Sequence, residues 1–150
     1  MVGAPFFERG NDYLDKGFFE EAIGQYNEAI RLNPQHADAY FSRAYAYGKI
    51  GQYDLAIEDF DKGFLINSLD ADAHRDKALT HLQLGQYDRA IKDFDKVIHN
   101  NPQDVESFFN RALAHHQLGQ YYRAIEDLDE AIKLEPQYAA AYYLRGFAYQ

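Results

Sequence analysis

Gly51-Gln52-Tyr53-Asp54-Leu55-Ala56-Ile57-Glu58-Asp59-Phe60-Asp61-Lys62-Gly63-Phe64 is the stretch whose reading decides the fold. Its opening tripeptide returns as Gly85-Gln86-Tyr87 and Gly119-Gln120-Tyr121, each 34 residues after the last. Gly17-Phe18-Phe19 is a fourth copy, one step earlier. Two further markers keep the same ruler. Pro34, Pro102 and Pro136 are separated by 68 and 34 residues, with Ser68 at the place that departs, and Ala22, Ala56, Ala90 and Ala124 recur in register. Self-similarity at a fixed period of this length marks an architecture in which each unit is one supersecondary module. The units fall at 3–36, 37–70, 71–104 and 105–138, with an incomplete fifth at 139–150, so a single array spans residues 1–150.

Within the quoted stretch, Ala56, Ile57, Phe60 and Phe64 line one face of a 3.6-residue helix, where a strand would alternate. The glycine of each Gly-Gln-Tyr stands where a first helix must stop, since it takes a left-handed C-terminal cap without steric cost. Asn33-Pro34, Asn101-Pro102 and Glu135-Pro136 end the second helix, because a residue before proline is pushed out of the helical region. Each unit therefore reads as helix, tight turn, helix. Gly63 and Ser68 depart from the residues in the other units. A glycine inside a helix costs about 1 kcal/mol relative to alanine, so the junction between the second and third units reads as the softest point.

The run Phe6-x2-Arg9-Gly10-x2-Tyr13, followed by Ala22-x3-Tyr26 and Pro34, resembles the signature of the tetratricopeptide repeat family. The match recurs in all four units and covers essentially the whole chain. The resemblance implies an all-α fold: a right-handed superhelical α-solenoid of four full helix-turn-helix repeats plus one extra helix. It also implies a protein–protein interaction scaffold or adaptor whose first helices line a concave groove.

Composition narrows the partners. Fifteen basic against 24 acidic side chains give a net charge of −9, which repels phosphate backbones and anionic lipid, so neither nucleic acid nor a membrane is expected. The absence of cysteine removes disulfides, thiolate nucleophiles and most zinc sites. The start lacks the basic and apolar segments of a secretory signal, and no window reaches the roughly 18 apolar residues of a membrane span, which gives a cytoplasmic placement by default. There is no Gly-rich phosphate loop, nucleophile elbow or recognisable serine–histidine–acid spacing, so neither catalytic residues nor a cofactor are assigned.

Small residues at Gly10, Ala44, Ala78, Ala112 and Gly146 read as points where two helices approach closely. The basic column Arg9, Arg43, Lys77, Arg111 and Arg145 reads as internally ion-paired with Asp59, Asp93 and Asp127, because a half-buried guanidinium needs a carboxylate partner. His81 and His115 share a column with Tyr13, Tyr47 and Tyr149, where a ring with a polar tip packs, and they are read as packing residues and not metal ligands.

The columns that the resemblance places in the groove read Phe7, Phe41, Arg75, Phe109 and Tyr143, and one turn on Asn11, Tyr45, Leu79, Leu113 and Phe147. Asp72, Asp76 and Glu106 edge this apolar floor, with Asn110 as a neutral interruption. Apolar pockets edged with acid suit a peptide segment carrying hydrophobic anchors and basic residues. Some members of the family bind the terminal carboxylate of chaperones through a clamp of two lysines, an arginine and two asparagines. Here Asn11 alone survives, with Phe7, Ser42, Asp72 and Asp76 in the other places. Like charge at a close pair costs on the order of 1 kcal/mol or more, which argues against that ligand.

Residues 139–150 form one strongly apolar helix without its mate, whereas repeat arrays finish on a polar outer face. This pattern reads as a piece excised from a longer array, with association into a homo-oligomer through residues 139–150 as the expected consequence. Two alternatives to peptide binding follow: a self-assembly module stacking end to end through this helix, and a regulatory fragment of a larger protein.

Overall fold

The computed structural model describes residues 2–150, and its secondary structure among them is helical. The helices are α1 (Ala4–Asp15), α2 (Phe19–Leu32), α3 (Ala37–Lys49), α4 (Tyr53–Ile66), α5 (Ala71–Gln83), α6 (Tyr87–Asn100), α7 (Val105–Gln117), α8 (Tyr121–Leu134) and α9 (Ala139–Ala148). They form two compact units, one ending at Ala73 and the other running from His74 to Gln150. None of these helices is long and apolar enough to cross a membrane.

The turns repeat as closely as the sequence does. Gly17, Gly51, Gly85 and Gly119 take φ values of 79°, 80°, 75° and 74°. The next residue then donates its N–H back across the helix end, Phe18 to Tyr13, Gln52 to Tyr47, Gln86 to His81 and Gln120 to His115, at 2.8–2.9 Å. This is the hydrogen bond that ends a helix on a left-handed residue. The turns after α2, α4 and α6 use a side chain. The Asn33 Oδ1 accepts from the Gln35 N–H at 3.2 Å, Asn67 from Leu69 at 3.1 Å and Asn101 from Gln103 at 3.2 Å. The middle turn thus keeps its shape although Ser68 replaces proline, because the asparagine amide closes it.

In the first unit α1 packs on α2 and α3 on α4. The methylene face of Gly10 lies against the fully buried Tyr26, and a β-carbon there would overlap the ring. Phe60 fills the matching place against Ala44, and Phe41, Phe64 and Ala73 complete that core. Gly63 is a packing requirement and not only a weak helix former, since a β-carbon at 63 would overlap the Phe41 ring. In the second unit Phe94 packs with Ala78 and Ala90, while Leu128 packs with Ala112, Ala124, Ala131, Ala141 and Phe108. Gly146 does not share the role of its column. Nothing lies within 4 Å of the position its β-carbon would take, so no helix approaches there.

Burial has a measurable consequence at Tyr26. Its hydroxyl donates to the Asn11 Oδ1 at 2.7 Å. Burial pushes its pKa up to about 12, with the hydrogen bond to Ser42 opposing and the Asp15 charge adding. An unfolded tyrosine ionises near pH 10. The folded state therefore holds this proton more tightly, and the resulting stability is fully present below pH 10 and lost as pH rises through about 12. Tyr26→Phe supplies the residue that Phe60 and Phe94 already provide, and the expected result is a shallower fall of melting temperature between pH 10 and 12 than in the parent chain.

Candidate functional site

Three residues of the basic column, Arg43, Arg111 and Arg145, are bonded within the chain. The guanidinium of Arg43 donates to both carboxylate oxygens of the buried Asp59 at 2.7 and 2.8 Å, and its third nitrogen donates to the Asn27 Oδ1 at 2.8 Å. Arg111 repeats the arrangement with Asp127 at 2.8 and 2.6 Å and Asp95 at 2.7 Å. Arg145 donates to Asp129 at 2.8 Å. Burial pulls the pKa values of Arg43 and Arg111 down, but the bonded carboxylates outweigh it and the net direction is upward. At Arg43 and Arg111 the pairing expected from the sequence is present. A second contact was missed: Asn27, Asp95 and Asp129, also spaced at multiples of 34, receive the remaining donor from the unit that follows. Arg43 and Arg111 therefore staple successive repeats as well as the two helices of one repeat, and Arg145 staples α9 to α8.

Arg9 differs from the expected pairing, and Asp93 has a partner that the column did not suggest. The buried His81 ring donates its Nδ1–H to Asp93 at 2.8 Å, and Arg9 donates to the Pro5 carbonyl at 3.3 Å with its guanidinium 4.7 Å over the Phe6 ring. His115, also buried, meets the Gln120 Oε1 at 2.7 Å. Among the described residues no group of three His, Cys, Asp or Glu is placed to hold a metal ion.

The expected groove residues separate into structural and available ones. In the first unit Phe7 is half-buried, with its ring 4.5 Å from His36 and 5.9 Å from Tyr26, and the Asn11 oxygen is occupied by Tyr26. Phe41 is only 8 % exposed and its ring stands 5.0 Å from Phe64, so it belongs to the core and offers no floor. Tyr45 is exposed, with the Lys49 ammonium 5.1 Å over its ring, and Asp72 is exposed in the first turn of α5.

In the second unit Arg75 donates to the Asp104 Oδ2 at 2.9 Å, while the other Asp104 oxygen caps α7 through the Ser107 N–H at 3.3 Å. This cation is thus engaged in holding a helix start. Asp76 is half-buried and its carbonyl accepts from Thr80, and Leu79 packs against the Phe94 core. Phe109 is half-buried against Tyr138 at 5.1 Å, and Asn110 and Leu113 are half-buried on the same helix. Glu106 is exposed and close enough to Tyr138 to add to the upward pKa shift that burial chiefly causes. On α9, which touches α7, Tyr143 and Phe147 are 72 % and 49 % exposed and meet edge to face at 5.0 Å. The second unit therefore places two exposed rings on α9 next to a helix that carries Phe109, Leu113, Asn110 and Glu106.

Comparison with known proteins bears on the framework. Profiles described as "Tetratricopeptide repeat" match residues 75–139 and 109–149, and also 37–68, and one described as "TPR repeat" matches residues 10–51. No curated protein matches the chain in sequence. Among solved structures, a crystal structure of MamA protein is similar with a TM-score of 0.92 at 22 % identity, covering 98 % of this chain and 80 % of that one. MamA 41-end from Desulfovibrio magneticus RS-1 gives 0.93 at 23 % identity, over 97 % and 82 %. YrrB, described as a TPR protein with an unusual peptide-binding site, gives 0.87 at 21 % identity, over 97 % and 75 %. At these identities the likeness is one of fold.

Proposed function

The chain belongs to the tetratricopeptide repeat family, a family of protein–protein interaction scaffolds, and from that premise we propose that it holds a peptide segment against α7 and α9. The observation that carries this reading is the exposure of Tyr143 and Phe147 on α9, which touches the helix that carries Glu106 and the half-buried Phe109, Asn110 and Leu113. Aromatic rings give large contact area for little lost side-chain freedom, and a carboxylate at the rim selects a cationic neighbour. The guest is a segment with apolar anchors and lysine or arginine. A terminal carboxylate is disfavoured: the one clamp residue retained, Asn11, spends its oxygen on Tyr26, and Asp72 and Asp76 stand at two of the other places. The role is recognition and not chemistry.

Selection from a random peptide library tests this reading. The enriched sequences are expected to combine hydrophobic and basic residues, and Glu106→Lys is expected to weaken them at least tenfold without changing the melting temperature. Enrichment of acidic peptides, or equal binding by Glu106→Lys, contradicts it.

A second reading, self-association through α9, is favoured by a separate observation on another side of that helix. Tyr142 and Tyr149 occupy the columns of Phe108 and His115, which are buried, yet Tyr149 is 68 % exposed and Tyr142 is also exposed. Gly146 between them faces open space. Sedimentation of the parent chain is expected to show mass rising with concentration, and Tyr142→Gln with Tyr149→Gln to remove the rise. A strictly monomeric parent at high concentration contradicts this reading and leaves the peptide surface untouched.

A further inference from the structure

The solvent side of α4 differs from that of every other second helix. Leu55 stands where α2, α6 and α8 carry Glu21, Arg89 and Arg123; Leu65 stands where they carry Arg31, His99 and Lys133; and Leu69, in the turn that follows, replaces Gln35, Gln103 and Gln137. Leu65 and Leu69 are 89 % and 87 % exposed, so packing within this chain does not account for them. Nor does a distorted turn, because the Asn67 side chain holds Leu69 as Asn33 and Asn101 hold Gln35 and Gln103. The substitution also withdraws a favourable charge. Arg31, His99 and Lys133 place a cation in the last helical turn, where the carbonyl end of the helix dipole attracts it, and α4 has no basic residue there.

The charges along the same face are one-sided. Asp54, Glu58, Asp61 and Leu65 follow an i, i+4, i+7, i+11 spacing that makes a single stripe, and all four are exposed. The equivalent stripe on α6 reads Asp88, Lys92, Asp95 and His99, which alternates sign. On α4, Lys62 is the one cation between residues 54 and 69. From Asp54 to Leu65 the stripe runs about 16 Å, at 1.5 Å per residue, or about three helical turns.

We infer that the solvent face of α4 and the turn after it form a docking surface for a cationic amphipathic helix of another protein. Aliphatic anchors of that helix meet Leu65 and Leu69, and its lysine or arginine side chains lie along Asp54 and Glu58. The periodic stripe suits a helix laid alongside α4 better than an extended strand, which has no 3.6-residue repeat to match. Charge decides against the other occupants. A second copy would set this acidic stripe against a chain of net charge −9, and an anionic lipid surface would meet like charge. The surface lies wholly in the first unit and stands or falls independently of the peptide surface proposed on α7 and α9 in the second.

The probe is a 14-residue synthetic peptide with leucine and lysine at helical spacing, together with its leucine and glutamate counterpart, titrated into the full chain at physiological ionic strength. Binding is read by fluorescence anisotropy and by amide chemical shifts. The lysine peptide is expected to bind with shifts centred on residues 54–69, and the glutamate peptide not to bind. Leu65→Gln with Leu69→Gln leaves the charge unchanged and replaces only exposed side chains, and is expected to weaken the lysine peptide at least tenfold with an unchanged melting temperature. Glu58→Lys, the residue that Lys92 supplies on α6, is expected to do the same. Shifts confined to other helices, a loss below threefold in the leucine variant, or no binding of the lysine peptide overturns the inference. So does a concentration-dependent mass that the leucine variant abolishes, which would make the occupant a second copy.

Discussion

Replacing Arg111 by methionine is expected to destabilise the protein by about 3–5 kcal/mol, the cost of leaving a buried carboxylate without its partner. The arginine fork satisfies both oxygens of Asp127, whose side chain is 7 % exposed, so removing it strands a charge that water barely reaches. At the usual sensitivity of a chain this size, that loss lowers the melting temperature by roughly 10 °C. His115 Nε2, 3.8 Å from Asp127, is too distant to take over the bond. Two controls separate the causes. Arg111→Met combined with Asp127→Leu removes both charges and is expected to recover most of the loss, since a buried ion pair and an apolar pair of similar volume are often equivalent. Arg145→Met removes a bond to Asp129, which is half exposed, and is expected to cost less than about 1 kcal/mol. Urea denaturation of the variants in parallel measures all three.

Gly63→Val is expected to destabilise by about 2 kcal/mol, although valine occupies the same column at position 97 and glycine is the poorer helix former. The reason is the neighbouring ring. Phe41 packs against Phe64 and Phe60, and a β-carbon at 63 enters the space its edge occupies. Phe64 itself replaces the isoleucine found at 30, 98 and 132, and its larger ring leaves Phe41 less room. Gly63→Ala alone is therefore expected to destabilise. Gly63→Ala with Phe64→Ile, which recreates the combination of Phe109, Ala131 and Ile132 in the fourth unit, is expected to be neutral or stabilising. Thermal and urea unfolding of the single and double variants checks the sign.

The repeat period makes the helices and their turns legible in the sequence, because Gly-Gln-Tyr and Asn-Pro each encode a local backbone geometry. The fork from Arg43 to Asp59 was legible for a related reason: two columns of opposite charge on adjoining helices leave few other partners. What spacing alone did not carry was the relative depth of side chains. Phe7, Phe41 and Phe109 share a column, yet Phe41 is buried by the larger Phe64, and only a neighbour's volume decides this. Gly146 matches Gly10 in sequence but not in surroundings, since close approach needs a second helix on the other side. Leu65 and Leu69 depart from their columns in the sequence, but only their exposure gives that departure a meaning. In the expected groove the same distinction divides side chains that support the scaffold, such as Arg75 on Asp104, from those left available, such as Tyr143 and Phe147.

The most direct test of the peptide-holding role is an amide chemical-shift map of the parent chain titrated with the peptide that library selection enriches most strongly. The account predicts shifts concentrated on α7 and α9, at and around Glu106, Phe109, Asn110, Leu113, Tyr143 and Phe147, and their loss in Glu106→Lys. Saturable binding whose shifts leave α7 and α9 unmoved would contradict it.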